Sequence, residues 1–336
     1  MRADNLSLRR QSYQARSEQG AAIITALLIV VVVATVAASL ITQQSESLTR
    51  VTRALERSQL TLYANTTLEW ARSALLVQQR NSTYISLTQP WAQGLVTRPI
   101  DTATAVGALR DAQSKFNLNN LVDANGKRRD ADVEIFTRLL SRLKLDTNIA
   151  TAIVDWLDSD DEVTSPGGAE NSYYWGLANN KSNQRGGYRA PNRTILTIDE
   201  IRRVKGVDDE IFNALTPYVT ALPTQNVERT RINVNTTASE VLEAVFNDAS
   251  PEQIVELLKL RELPYSTIED FKERNKKLKP AVIDQFLDTK SRYFEASLAI
   301  TGEVGQVRLA GLLQLQNVTT PTAATTWPAI IWLKEE

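Results

Sequence analysis

The longest break in the mixture of polar and apolar residues is Gln19–Ser45, 27 residues without a charge between Glu18 and Glu46. About 20 apolar residues at roughly 1.5 Å each span a bilayer core, so this run is long enough to cross. The helical pattern does not stop there. From Glu46 to about Gln79 neither proline nor glycine occurs, and Leu48, Val51, Leu55 and Leu62 recur near a 3.6-residue period between Arg50, Arg53, Glu56 and Arg57. A single helix is predicted from Ala21 to about Gln79. Its first half suits lipid or a bundle of like helices, and its second half offers one apolar stripe for a sheet to cover. A sustained heptad is absent, which argues against a coiled coil.

Pro90 and Pro99 read as a loop. Asp111–Leu121 alternates around Phe116, Leu118 and Asn120 and reads as a short strand, with Asp123–Gly126 as a turn. Residues 130–158 read as two helices broken near Asp146–Asn148, on apolar positions Phe136, Leu139, Leu140 and Leu143, then Ile149, Ile153, Trp156 and Leu157. An acidic loop and a Gly/Tyr-rich stretch run to about Asn192. Thr197–Val219 suggests two helices joined at Gly206. Beyond Pro223, Ile232–Asn235 reads as a strand and Ala238–Phe246, Pro251–Arg261 and Ile268–Lys277 as helices. Tyr293–Thr301, Val304–Gln316 and Ala329–Leu333 are alternating or β-rich. Helix first, helices in the middle and strands last predict an α+β head with an inserted helical unit.

Composition narrows the chemistry. The 336 residues contain no cysteine and no histidine. That removes Cys/His and Ser/His nucleophilic catalysis and zinc sites built on imidazole or thiolate. There is no P-loop and no dinucleotide fingerprint, so no enzyme is expected. The net charge of −1 lacks the basic excess of a nucleic-acid binder.

Gly20 stands on the N-terminal side of the apolar run, after a polar leader with Arg2, Arg9, Arg10 and Arg16 against Asp4 and Glu18. An ordinary signal peptide is cut after its apolar run and loses it. Cleavage between Gly20 and Ala21 instead keeps the hydrophobic helix as the start of the mature chain. The basic leader favours a cytoplasmic N-terminus. A signal anchor with an incidental glycine, or a signal peptide cut near Ala37-Ala38-Ser39, is the plainer alternative.

Asp155-Trp-Leu-Asp158-Ser-Asp160-Asp161-Glu162 holds five carboxylates in eight residues, with Glu170 and Asn171 soon after. Like charges this close repel unless solvent or a cation compensates. Hard cations such as calcium take six to eight oxygens from such groups, and Gly167-Gly168 permits the chain to turn back. The spacing is not that of an EF-hand: counted from Asp158, position 6 is Val163 and position 12 is Ala169. A solvated acidic loop capping a helix end accounts for the same residues equally well.

Ile201–Ile211, around Gly206, is similar to a helix-hairpin-helix, whose amides hold phosphate. Asn233–Glu240 with Ile254–Arg261 and Ser266–Phe271 resembles the same motif as seen in a competence protein. A DNA-binding membrane protein of a competence or type IV pilus system is therefore the alternative functional class. Asp208 replaces the second hairpin glycine, and Asp208-Asp209-Glu210 sets three negative charges at the phosphate position.

The Gln19-Gly20 junction followed by Ala21–Leu28 resembles the leader of type IV prepilins and pseudopilins. With Ala64–Ala71, Lys115–Leu121, Asp155–Asp160, Pro166–Tyr174, Gly206-Val207, Leu215–Val219 and Ile232–Thr236, most of the chain resembles the K family of minor pseudopilins of the type II secretion system, general secretion pathway protein K. The Asp-rich loop followed by Gly-Gly-Ala-Glu-Asn-Ser-Tyr-Tyr is the specific part; the leader is common to all pilin-like proteins.

The resemblance implies an α+β, type IV pilin-like fold in which a long N-terminal helix packs on an antiparallel sheet, with a large inserted α-helical domain. Residues 1–20 would be the leader, 21–45 and 46–80 the transmembrane and periplasmic halves of the helix, 81–125 and 224–336 the head, and 126–223 the inserted, calcium-binding domain. It implies calcium, with Asp155, Asp158, Asp160, Glu170 and Asn171 as the ligand pool. It implies a single pass through the inner membrane, with the head periplasmic, and processing by prepilin peptidase at Gly20 and Ala21. The partners implied are minor pseudopilins I and J in a tip complex that initiates pseudopilus assembly, then H and the major pseudopilin G, with no nucleic acid. Position five of the mature chain is Thr25, where most pilins carry a glutamate thought to meet the N-terminal amine of the subunit above. A subunit with nothing above it has no such amine to meet, so Thr25 marks a tip position.

Overall fold

A computed structural model describes residues 4–176, 187–224, 229–303, 305–316 and 327–336, with side chains from residue 23 onward except at 95–96. Helix α1 (Asp4–Asn81) is 78 residues long, about 120 Å at 1.5 Å per residue. It is followed by strands β1 (Leu95–Ile100) and β2 (Ala103–Asp111) and a short β3 (Phe116–Asn117). The helical part comprises α2 (Asp130–Arg142), α3 (Asn148–Leu157), α4 (Asn171–Gly176), α5 (Asp209–Leu215) and, beyond the short strands β4 (Val219–Thr220) and β5 (Ile232–Asn233), α6 (Ser239–Val245), α7 (Pro251–Leu260), α8 (Ile268–Arg274) and α9 (Pro280–Phe286). The short β6 (Leu287–Asp288) leads into β7 (Tyr293–Thr301), β8 (Gln306–Gln314) and β9 (Ala329–Glu335). Val304, the first residue of one predicted strand, lies outside the described residues, as does 177–186 of the Gly/Tyr-rich stretch.

Five strands form one antiparallel sheet in the order β1-β2-β7-β8-β9. One face of it is covered by α1. Leu60, Ala64, Leu68, Ala71 and Leu75, spaced by three and four, are buried. The first three and Leu75 pack with Phe294, Ala296, Leu298 and Ile300 of β7 and Val307 and Leu309 of β8. This is not the predicted stripe. Leu48, Val51, Leu55 and Leu62 are all more than half exposed. A nine-residue strand spans about 30 Å, the length of about 20 helical residues, so the sheet reaches only the last third of α1. Leu48–Leu55 project beyond it, and Leu62 points away from the Leu60-Ala64-Leu68 face.

One loop reading and one strand reading give way to the structure. Pro99 lies inside β1, which is tolerated because β1 is an edge strand and needs no amide donor on its free side. Conversely, Asp111–Leu121 is in strands only at Asp111, the end of β2, and at β3, because its side chains bond the backbone and curl the rest into short 3₁₀ turns. Asp111 Oδ1 accepts from the Gln113 N–H (2.8 Å), and Asn117 Oδ1 from Asn119 and Leu222 N–H.

The second core is built from helices. It runs from Phe116 to Leu287 and joins α2 and α3 to α6, α7, α8 and α9. Residues 232–287 therefore pack with the helical unit, past the boundary read at 223, because α2 lies against α6. Buried polar groups tie this unit to the sheet. Asp111 Oδ2, at the end of β2, accepts from Asn233 Nδ2 (2.9 Å), Thr236 Oγ1 (2.6 Å) and Ser291 Oγ (2.6 Å). Burial pushes its carboxyl above the usual carboxylate range, and these four hydrogen bonds oppose the shift.

Candidate metal centre

Helix α3 is almost wholly apolar because it is buried on several sides: Ile149, Ile153, Val154, Trp156 and Leu157 all lie in the core. Asp155 in its last turn is carried inside with them, and Asp158 follows as the C-cap, its N–H donating to the Val154 carbonyl (2.8 Å). At a spacing of three, the two carboxylates share one side of the helix end. The loop then turns back through Thr164–Gly168. Gly168 N–H donates to Thr164 O (2.9 Å), and Thr151 Oγ1 holds Pro166 O (2.6 Å). This return brings Glu170 to the other two.

One oxygen from each of Asp155, Asp158 and Glu170 lies within 4.8 Å of the others. All three side chains are buried, at 0, 5 and 1 % exposure. Asp155 Oδ2 accepts from Thr164 N–H (3.0 Å). Asp155 Oδ1, Asp158 Oδ1 and both oxygens of Glu170 have no hydrogen-bond partner, and among the described residues none of the three carboxylates pairs with lysine or arginine. Burial, then the charges of Asp160 and Asp155, pushes Asp158 up to about 7. Burial, then Asp158 and Asp155, pushes Glu170 up to about 8.

Orphaned, dehydrated carboxylates in such a group are costly unless protonated or bound to a cation. Calcium–oxygen distances of 2.3–2.6 Å place oxygens around one ion up to about 5 Å apart, which matches the cluster. An all-oxygen donor set with no nitrogen or sulfur also suits a hard cation. The residues present fit calcium.

Of the predicted ligand pool, the structure brings Asp155, Asp158 and Glu170 together. Asp160 is exposed; its Oδ1 accepts from Glu162 N–H (2.9 Å), and its charge acts on Asp158 from outside. Asn171 is committed elsewhere: Nδ2 donates to Asp161 Oδ1 (2.8 Å) and Oδ1 accepts from Ala190 N–H (3.0 Å). Asp161 was not among the predicted site residues, and no local signal separates its role from that of Asp160. Gly20 and Ala21 fall within α1 but outside the residues whose surroundings are described, while Thr25 is exposed on α1.

The hairpin around Gly206 is a turn at φ +81° leading into α5, with Asp208 Oδ1 accepting from Ile211 N–H (2.8 Å). Arg203 of this hairpin is exposed, while its other two cations are engaged within the protein. Arg202 pairs with Asp209 and stacks on Phe212, and Lys205 Nζ donates to the Gly168 carbonyl (3.1 Å). In the α7–α8 hairpin, Arg261 bonds Thr237 O, and Arg274 bonds the carbonyls of Leu260 and Leu263.

At the other end of the chain, Ile23–Asn81 is a helix long and apolar enough to cross a membrane, and from Ile23 to Leu55 its apolar side chains are exposed. It suits a single-pass anchor.

The family described as type II secretion system, protein K, matches residues 114–224, which contain the whole carboxylate cluster. Type II secretion system protein K of Aeromonas hydrophila is 31 % identical over 270 residues, covering 70 % of this chain and 74 % of the relative. That of Pectobacterium carotovorum is 30 % identical over 258 residues, covering 73 % and 75 %. A chain in the crystal structure of the GspK-GspI-GspJ complex from the enterotoxigenic Escherichia coli type 2 secretion system superimposes with a TM-score of 0.71 at 25 % identity, over 85 % of this chain and 99 % of that one. The long helix on an antiparallel sheet is the pilin-like fold, here with a helical unit set into it, and with identity at this level across this much of both chains the protein belongs to the type II secretion system protein K family.

Proposed function

We propose that the chain is a minor pseudopilin that forms the pseudopilus tip with pseudopilins I and J and initiates assembly of the fibre that exports folded proteins. The observation that carries this reading is the uncovered part of α1. From Ile23 to Leu55 the helix presents exposed apolar side chains with no part of its own fold against them. Such a rod needs lipid or like helices around it. The relative in the solved complex stands with GspI and GspJ, which names the helices that suit it. Thr25 in place of the usual glutamate suits a subunit that meets no amine above, since an unpaired carboxylate there is costly in an apolar setting.

On this reading the chain is a structural subunit rather than an enzyme. It spans the inner membrane once, with its N-terminus cytoplasmic, and prepilin peptidase cuts it between Gly20 and Ala21. It meets H and the major pseudopilin G below the tip. Asp155, Asp158 and Glu170 would hold calcium. The bound ion would supply the positive charge that these carboxylates lack, and so fix the acidic loop on α3.

Co-expression with pseudopilins I and J tests the reading. The full chain, extracted in detergent, should co-purify with both, and changing Leu48, Val51 and Leu55 to serine should abolish this. Tight, salt-sensitive DNA binding with no such partners would instead favour the helix-hairpin-helix class.

A further inference from the structure

Lys205, one residue before the Gly206 turn, has no carboxylate within ion-pair distance among the described residues. Its contacts go elsewhere. Nζ donates to the Gly168 carbonyl at 3.1 Å and lies 5.0 Å from the centre of the Tyr173 ring, while its backbone N–H donates to the Tyr174 hydroxyl at 3.2 Å. These three partners bracket Glu170, two residues before it and three and four after. The bracketed segment is closed internally, because the N–H groups of Tyr173 and Tyr174 both donate to the Glu170 carbonyl (2.9 and 3.2 Å). Tyr174 is buried edge-on against Trp156 of α3, so the segment is anchored on the helix that carries Asp155.

We propose that Lys205 is a positioning residue of the cation site: without touching the ion, it holds Gly168–Tyr174 so that the Glu170 carboxylate faces Asp155 and Asp158. This rests on reading those three carboxylates as a cation site. Asp155 and Asp158 are fixed by their own helix. Glu170 lies twelve residues further along the loop, and its direction depends on what holds the return segment. Lys205 is the side chain that grips that segment on both sides of it. The hairpin that resembles a phosphate-binding motif thus sends its lysine to the acidic loop.

Two physical effects of removing the ammonium have opposite signs. As a nearby positive charge it repels a divalent cation, so its removal would tighten binding. As an outer-shell support it orients a ligand, and losing such a partner costs about 10- to 100-fold in metal affinity. The test is calorimetric titration of the full-length chain in detergent with calcium alone, for the parent, Lys205→Met and Lys205→Arg. Lys205→Met should weaken calcium binding about tenfold or more. Lys205→Arg, which keeps a donor for Gly168 O and a cation over Tyr173, should restore the parent affinity. If Lys205→Met fails to fold, Lys205→Leu, which likewise lacks both donor and charge, carries the same expectation. A Lys205→Met chain that melts lower but binds calcium as tightly as the parent, or more tightly, overturns the proposal. Absence of binding by the parent overturns the cation site itself, and this inference with it.

Discussion

A Cβ placed on Gly168 would lie 2.2 Å from Oδ2 of Asp155 and 2.3 Å from the Thr164 carbonyl. The backbone of the return segment is therefore pressed directly onto a buried carboxylate of the cluster, at a distance only glycine permits. Both contacts are backbone or a fully buried side chain, so neither can swing aside.

Gly168→Ala should consequently destabilise the chain by about 1–3 kcal/mol through overpacking, and also displace Asp155. Thermal melts with and without calcium check this. The calcium-dependent rise in melting temperature should disappear along with part of the baseline stability.

Glu170→Gln separates the two roles of the cluster. In the absence of calcium it removes a buried, uncompensated charge and should stabilise the chain by about 1 kcal/mol at pH 8. In the presence of calcium it removes a ligand, so the parent becomes the more stable of the two. A single order of melting temperatures under both conditions would contradict the site.

The raised positions of Asp158, about 7, and Glu170, about 8, give a definite sign with pH. A carboxyl raised in the folded state contributes stability that is complete below its unfolded value and lost as pH rises through the folded one. The calcium-free chain should therefore lose stability progressively between about pH 4 and 8 through these two groups, and change little above that. Calcium competes with the same protons, so the melting-temperature gain from a fixed calcium concentration should be small at pH 6 and grow toward pH 8.5.

Asp111→Ala would strand the donors of Asn233, Thr236 and Ser291 between the sheet and the helical unit. Leaving several buried donors unpaired should cost about 3 kcal/mol or more. Asp111→Asn, which keeps an acceptor oxygen, should cost less. Denaturant unfolding of the two variants gives the comparison.

Mass spectrometry of chain made beside its prepilin peptidase should find an N-terminus at Ala21, carrying a methyl group. A start near Ser39 would remove the pseudopilin reading at its root.

The continuity of α1 and its end near Gln79 were legible because 27 uncharged residues and a run without helix breakers are local properties, whereas its start at Asp4, ahead of the expected Ala21, was not. Its buried face was not. Leu48, Val51 and Leu55 are as apolar as Leu60, Leu68 and Leu75, and only the reach of the sheet separates them. Pro99 looked like a loop marker because one-dimensional reading cannot tell an edge strand from a central one. Asn117, Asn119 and Asn120 sit in an apparent alternation, yet they are buried to bond distant backbone, including Ile195 and Thr230. In the acidic loop, the pairing of Asp155 with Asp158 follows from helical spacing. The convergence of Glu170, and the turning away of Asp160 and Asn171, do not.

Periodicity and composition thus carried most of the helices, the C-terminal strands, the membrane-length helix and the presence of a carboxylate-rich loop, since each depends on neighbours within a few residues, while β1 and β2 went unread. Which helix face is covered, and which carboxylates meet, were settled only by folding. Those outcomes depend on closures between distant segments, such as Thr164 N–H on Asp155 Oδ2 and Lys205 Nζ on Gly168 O across 37 residues, and no local pattern records where such closures fall.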